Sequence, residues 1–450
     1  MRKAVKFGGS SLADAVQFQK CAEIIKADPS RLFVVPSAPG KRHAHDTKVT
    51  DMLFHCFALQ KKHPDEALEY FERIKERYDE IIRELHLSYS LEEEYQLISE
   101  KIGADITEEY LVSRGEYLSA KILSALLGYP FLDASQCVKF DATGNYDEQS
   151  TQLAFYEIKD WPCFVMPGFY GSYPNGEIRT FSRGGSDISG AIVAKAMEVD
   201  VYENWTDVSG FLAADPRIIP HPETIEEVTY SELRELSYMG ASVFHEEAIY
   251  PARSAGIPIN IRNTNRPGDA GSWICPDDGA SPSHAYITGI AGKKGFLSLS
   301  FEKDVGGDKL SFGRKVLQVF EEAKVMVDHV PSSIGTMTVV VDAGEISGKE
   351  ESIVRRIRRE IDPDHITIER NLAFIAVVGF KMKGGIGVTS GILAALAQEG
   401  ISVKMVIQGI REISLIIGIE EKDFEKAIRR LYSFRQEVDA TENQFCAPKR

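Results

Sequence analysis

The chain has no dense cluster of Lys and Arg, no CxxC pair and no apolar run reaching the roughly 18 residues of a membrane span. With 52 basic and 67 acidic residues it carries a formal net charge of -15. That balance leaves no general basic surface for a polyphosphate backbone and excludes nucleic acid as a natural partner. The six cysteines, Cys21, Cys56, Cys137, Cys163, Cys275 and Cys446, lie far apart and lack the Cys/His spacing of a zinc site. They read as buried or free thiols. The start, Met1-Arg2-Lys3-Ala4-Val5-Lys6-Phe7-Gly8-Gly9, turns to glycine before the apolar core of a signal peptide forms. Together these absences predict a reduced, cytoplasmic protein with no membrane partner.

What is present is length and apolar content: 450 residues, 43% of them hydrophobic, exceed what one core usually organises and imply two or three domains. Residues 1–285 alternate short apolar runs with longer amphipathic stretches. Residues 4–7, 32–35, 163–166, 199–202 and 257–261 read as strands; 12–27, 106–127 and 186–197 carry apolar residues at helical spacing, with Gly128 as a C-cap. The expected fold is α/β, a mostly parallel open sheet covered by helices on both faces. Residues 63–85 read as a charge-rich helix with an apolar stripe, either a solvated insertion or a binding surface.

Turn formers crowd together over 266–282, and the main domain boundary is placed there or just beyond. The remainder passes twice through one theme of strands and helices, giving two βαββαβ α+β units at 286–370 and 371–450. The first pass runs through a strand at 296–301, a helix at 313–323 and strands near 325–330 and at 336–341. In the second, strands at 373–378, 401–407 and 412–419 accompany helices at 387–399 and 422–432.

Four segments carry candidate chemistry. Lys6-Phe7-Gly8-Gly9-Ser10-Ser11 is a strand ending in a glycine pair ahead of a helix, where exposed N–H groups and a helix dipole favour an anion. No GxxxxGK[ST] motif exists, and a tight structural turn explains the same residues. Ser182-Arg183-Gly184-Gly185-Ser186-Asp187 repeats the pattern with a carboxylate-matching Arg fork and an acid able to meet a metal or Lys6; an N-capped helix with a surface ion pair is the alternative. Thr206-Asp207, followed by Asp215-Pro216-Arg217, lies where a strand gives out, the place ligands gather in open α/β sheets. Gly115 in Ser113-Arg114-Gly115-Glu116 costs about 1 kcal/mol against alanine inside a helix, which implies close approach by a ligand or by another helix.

In order and approximate spacing these segments resemble the aspartate kinases of the amino acid kinase family, and the two tail units resemble paired ACT domains. The resemblance implies phosphorylation of the L-aspartate β-carboxylate by ATP with Mg²⁺, the first step toward lysine, threonine and methionine. It implies lysine and/or threonine as effectors, and a homo-oligomer, a dimer or dimer of dimers. Carried over residue by residue, Lys6 and Asp187 are catalytic. Lys6, Phe7, Gly8, Gly9, Ser37, Thr206, Asp207, Leu212, Arg217, Ser242 and Val243 meet ATP. Thr50, Glu116, Arg183, Gly184, Gly185 and Ser186 hold aspartate, Glu116 on its ammonium and Arg183 on its α-carboxylate. No residue is assigned directly to the metal. Met326, Val327, Asp328, Ser332, Ser333 and Ile334 are the effector candidates. The chain departs from the family pattern at Leu212, commonly tyrosine, at Ser242, commonly lysine, and at His245-Glu246, commonly His-Pro. A catalytically silent amino acid sensor and a glutamate or acetylglutamate kinase are the competing readings.

Overall fold

The computed structural model describes residues 1–104, 106–182, 184–240, 246–277, 285–304, 309–333 and 335–440. These group into two units. Met1–Phe211, Thr224–Tyr230 and the described part of 242–282 form the first; Leu212–Glu223, the described part of 231–241 and the described residues beyond 283 form the second. No helix among the described residues is long and apolar enough to cross a membrane.

The first unit is built on a seven-stranded sheet. Lys3–Phe7 lies in parallel between Arg31–Pro36 and Val201–Thr206; Phe164–Val165 extends one side and Ile259–Asn263 the other, also in parallel. Ser272–Cys275 returns antiparallel to Ile259–Asn263, so the turn-rich stretch 266–271 closes a hairpin within this sheet, and Glu227–Thr229 pairs parallel beyond it. Parallel strands buried on both faces need apolar side chains pointing both ways, and Lys3–Phe7 has Ala4, Val5 and Phe7 fully buried. Val5, Phe7, Val34 and Trp205 join a core with Phe18, Leu53, Phe71, Tyr78 and Leu118 from the helices on that face. On the other face Gly190 of helix Gly185–Ala196 lies against Tyr202, where an added Cβ would come within 2.4 Å of the phenol oxygen. The alternation therefore sends Lys6 and its register partner Asn204 toward that second helix.

The second unit carries one five-stranded antiparallel sheet in the order Thr336–Asp342, Gly289–Glu302, His365–Val378, Ser414–Glu420, Val403–Gln408. Helices Lys309–Glu322 and Glu350–Glu360 bury Val316, Phe320, Ile353 and Ile357 on one part of it; Val388–Gln398 and Phe424–Ala440 accompany the rest. Residues 325–330 do not form the expected strand: only His329 pairs, in an isolated bridge to Val340. The cause is local. Helix Lys309–Glu322 ends with Lys324 at φ +52° and Val325 N–H returning to the Phe320 carbonyl, so Val325 closes the helix.

Candidate active site

The site is built where strand Lys3–Phe7 runs out. Gly8 N–H continues the ladder to the Trp205 carbonyl at 2.9 Å, and the chain then enters a short 3₁₀ turn, Gly9–Leu12. Against that turn packs the loop after Arg31–Pro36. Ser37 N–H donates to Phe7 O at 3.0 Å, Gly40 N–H donates to Gly9 O at 2.7 Å, and a Cβ on Gly9 would stand 2.9 Å from the Ala38 carbonyl. The glycines here are a requirement of two backbones in contact. The Phe7 ring belongs to the core, stacked on Trp205 at 6.0 Å, so only its main chain borders the turn.

Lys6, 8% exposed, ion-pairs with Asp187 at 2.7 Å. Asp187 stands in the first turn of helix Gly185–Ala196, whose N-cap Gly184 has φ +58°, a left-handed conformation that glycine adopts without strain. Asn204 Nδ2 donates 2.7 Å to the same Asp187 oxygen, fixing the carboxylate from the strand beside Lys6. Gly185 lies against Phe169, where a Cβ would be 2.5 Å from the ring, and Ser186 is buried against Gly168.

Glu116 approaches from the fourth side. It lies within the 20-residue helix Glu108–Leu127 and is 5% exposed. The preceding Gly115 is a packing glycine: a Cβ there would meet Ala38 Cβ at 2.8 Å and Leu53 Cδ1 at 3.2 Å. Burial pushes the Glu116 carboxyl up to about 8, opposed by the Ala38 N–H, its own N–H and the charges of Arg114 and Lys6. Its Oε2 is buried with no hydrogen-bond partner. A buried carboxylate with an orphan oxygen is a demand for a cation or a donor.

Thr206 ends strand Val201–Thr206 and donates to Asp207 at 3.2 Å; Asn263 holds the Asp207 carbonyl at 3.3 Å. Thr50 occupies the second position of helix Val49–Gln60, directly after the loop that carries Gly40. Leu212 and Arg217 belong to the second unit, where Arg217, 88% exposed, forks onto Asp215 at 2.7 Å. Arg183, Ser242, Val243, His245 and Ile334 lie outside the described residues. Asn204, Ala38 and Gly40 escape sequence reasoning; the only signal for Asn204 was a polar residue at a buried position between Tyr202 and Trp205.

Among the described residues no group of three or more His, Cys, Asp and Glu side chains could hold a metal ion unaided. Magnesium that arrives on nucleotide phosphates needs only one or two carboxylates. Asp187, its side chain 25% exposed, and Asp207 supply carboxylates of that kind.

In the second unit a cleft of about 780 Å³ is lined by Phe312, Leu317, Val330, Ser332, Ser333 and Met337. Met326 is 72% exposed; Val327 and Asp328 are half-buried, with Asp328 N–H bonded to Val340 O at 2.9 Å. Ser332 and Ser333 thus line the cleft, whereas Met326, Val327 and Asp328 are not among its walls.

The model of the amino acid kinase family matches residues 1–263, and that of an ACT domain matches 375–433. Aspartokinase 3 of Bacillus subtilis is 37% identical over 446 residues, 96% of this chain and 98% of that one. The chain belongs to the aspartokinase branch of the amino acid kinase family. It is therefore an ATP-dependent kinase. The crystal structure of Clostridium acetobutylicum aspartate kinase superposes with a TM-score of 0.89 at 42% identity, covering 96% of this chain and 99% of that one. E. coli aspartokinase III, solved with aspartate and ADP, shares the fold at a TM-score of 0.71 and 22% identity, with 96% and 99% covered.

Proposed function

We propose that the chain transfers the γ-phosphoryl group of ATP to the β-carboxylate of L-aspartate, giving 4-phospho-L-aspartate and ADP, the step that opens synthesis of lysine, threonine and methionine. The single observation that carries this reading is Glu116: a buried, elevated carboxylate with an orphan oxygen, within electrostatic reach of Lys6, suits the ammonium of an amino acid held beside the phosphates. Phosphoryl transfer asks for two anions held in line with their repulsion cancelled. Lys6 supplies mobile positive charge at the end of its strand, and Asp187 with Asn204 fixes where that charge sits. The first backbone N–H groups of the turn Gly9–Leu12, which no side chain caps, and the N-terminus of helix Gly185–Ala196 offer further donors for phosphate oxygens.

Mg²⁺ arriving on the phosphates would neutralise their charge, and Asp187 and Asp207 would be the carboxylates to hold it. The acceptor is a carboxylate, already ionised at neutral pH, so it surrenders no proton and needs no general base. This accounts for a site that needs none of the chain's ten histidines as a catalytic base.

The same reading extends to lysine and/or threonine as effectors in the cleft that Ser332 and Ser333 line, and to a homo-oligomer. Supporting the latter, Val403–Gln408 is an outer strand of the second sheet, and its edge suits pairing with a second copy, whereas the edge of Thr336–Asp342 is taken by residues 328–333. A coupled ADP-release assay across aspartate, glutamate and acetylglutamate tests the substrate; preference for either of the latter two overturns it.

A further inference from the structure

The charge-rich helix Pro64–Glu84 contains one residue that its composition does not explain. Arg77 sits in mid-helix yet is 5% exposed, surrounded on its own face by Phe71, Ile74, Tyr78 and Ile81. Its guanidinium is spent on main chain. Nη1 donates to Thr47 O at 2.7 Å; Nη2 donates to Gly40 O and, at 3.4 Å, to Ala13 O. Asp46 Oδ2 lies 3.3 Å from Nη2 and balances the charge. One planar fork thus ties the residue that follows the 3₁₀ turn (Ala13) to both ends of the 40–47 loop.

The loop so held is the one that packs on the turn after Lys6 and on the helix that carries Glu116. Gly40, whose carbonyl Arg77 grips, turns its N–H onto Gly9 O at 2.7 Å. Ala38, two residues earlier, packs on Gly115 and gives its N–H to Glu116. The next side chain of the same helix repeats the action on the residue that Ala38 packs against: Tyr78 OH donates to Gly115 O at 2.7 Å. Only Nη1 and Nη2 find partners while Nε is buried without one, so this buried cation is costly, and a helix that needed only to cover the core would carry an apolar residue at this position.

We propose that Arg77 is a positioning residue for phosphoryl transfer: by holding the Gly40 carbonyl it sets where the turn Gly9–Leu12 presents its first N–H groups to the nucleotide. It touches neither substrate. The inference rests on the reading that this turn binds ATP, so ATP affinity, which needs no acceptor, is its first readout.

The test uses the full chain and compares Arg77→Ala, Arg77→Lys and, as a control, Glu80→Gln, which removes only the exposed Arg42–Glu80 contact at 3.2 Å on the same loop. Calorimetric titration with Mg-ATP is expected to show about tenfold weaker binding for Arg77→Ala, since small displacements of a phosphate cradle are expensive. Millimolar guanidinium, far below denaturing concentrations, is expected to refill the vacated site and restore most of that loss. Arg77→Lys should lose about fivefold, because one ammonium cannot span the oxygens of Ala13, Gly40 and Thr47. Glu80→Gln should match the parent protein. Parental ATP affinity in either Arg77 variant overturns the proposal, as does a defect in Arg77→Ala that guanidinium leaves unchanged. If Arg77→Ala does not fold, Arg77→Lys decides alone. A parent protein that binds ATP but does not phosphorylate aspartate defeats the function proposed above and leaves this test intact; one that binds no ATP defeats both.

Discussion

Gly40 and Gly9 meet backbone to backbone: a Cβ on Gly40 would lie 2.6 Å from the Gly9 carbonyl carbon, closer than side-chain carbons ever come to a main chain. Neither atom can yield without moving the turn that follows Lys6. Gly40→Ala is therefore expected to displace the turn, lowering kcat/KM for ATP about a hundredfold, in line with the cost of a misplacement near 1 Å. Steady-state kinetics beside a thermal melt checks this; a folded variant with parental kcat/KM shows that the contact is slack.

Lys6 is the only lysine paired with Asp187 among the described residues. In the proposed reaction its ammonium absorbs charge that develops on the transferring group. Lys6→Ala is expected to lower kcat by about a hundredfold or more, as removal of an electrostatic stabiliser does elsewhere. Near-normal turnover in a folded variant refutes that role.

Glu116 gives a pH-dependent signature. Its folded-state value is about 8, against an ordinary 4.5, because burial disfavours the charged form. Between these values the native protein holds a proton that the unfolded chain has released, so Glu116 contributes stability that is present below about pH 4.5 and lost as pH rises through 8. Glu116→Gln, neutral at every pH, should flatten that decline: its Tm relative to the parent should rise between pH 6 and pH 9. An amino acid ammonium at the same oxygen favours the carboxylate. Aspartate binding near neutral pH should therefore release a proton, seen as a buffer-dependent binding enthalpy that Glu116→Gln lacks. Equal enthalpies across buffers for the parent protein contradict the assignment.

Ser332 and Ser333 line the cleft of the second unit, and a bulky side chain there removes its volume. Ser332→Phe is expected to raise the lysine or threonine concentration for half-inhibition about tenfold, comparable with a typical allosteric coupling energy. Each variant is read against its own effector-free rate. Unchanged inhibition takes the cleft out of regulation.

The sequence exposed the alternating strands and helices well, and misplaced strand starts for one recurring reason. At Val199, Ile257, Val325 and Ile401 an apolar residue looks like the first of a strand. In each case its N–H instead returns to a helix carbonyl, at Ala194, Ala252, Phe320 and Leu396 respectively. The residue before it has positive φ: Glu198, Gly256, Lys324 and Gly400. These are Schellman closures whose final apolar residue packs back on its own helix. Three of the strands then begin two residues later, and the fourth never forms.

The glycine turns, Lys6, Asp187 and Glu116 were visible as motifs because backbone contact and charge leave a compositional trace. Gly115 was visible too, but only coordinates decide between ligand approach and packing on Ala38 and Leu53. Arg77 was invisible. In a helix bearing Arg73, Lys75, Arg77 and Arg83, nothing local distinguishes the one guanidinium that turns inward. Its partners are main-chain oxygens more than 29 residues away, at Ala13, Gly40 and Thr47.

The decisive measurement traps the product. The full chain is incubated with Mg-ATP, L-aspartate and hydroxylamine, and aspartyl hydroxamate is quantified beside ADP. One hydroxamate per ADP is expected, dependent on aspartate and absent with glutamate or acetylglutamate. ADP released without hydroxamate, or hydroxamate formed faster from another acid, contradicts a site in which Lys6, Asp187 and Glu116 join aspartate to ATP.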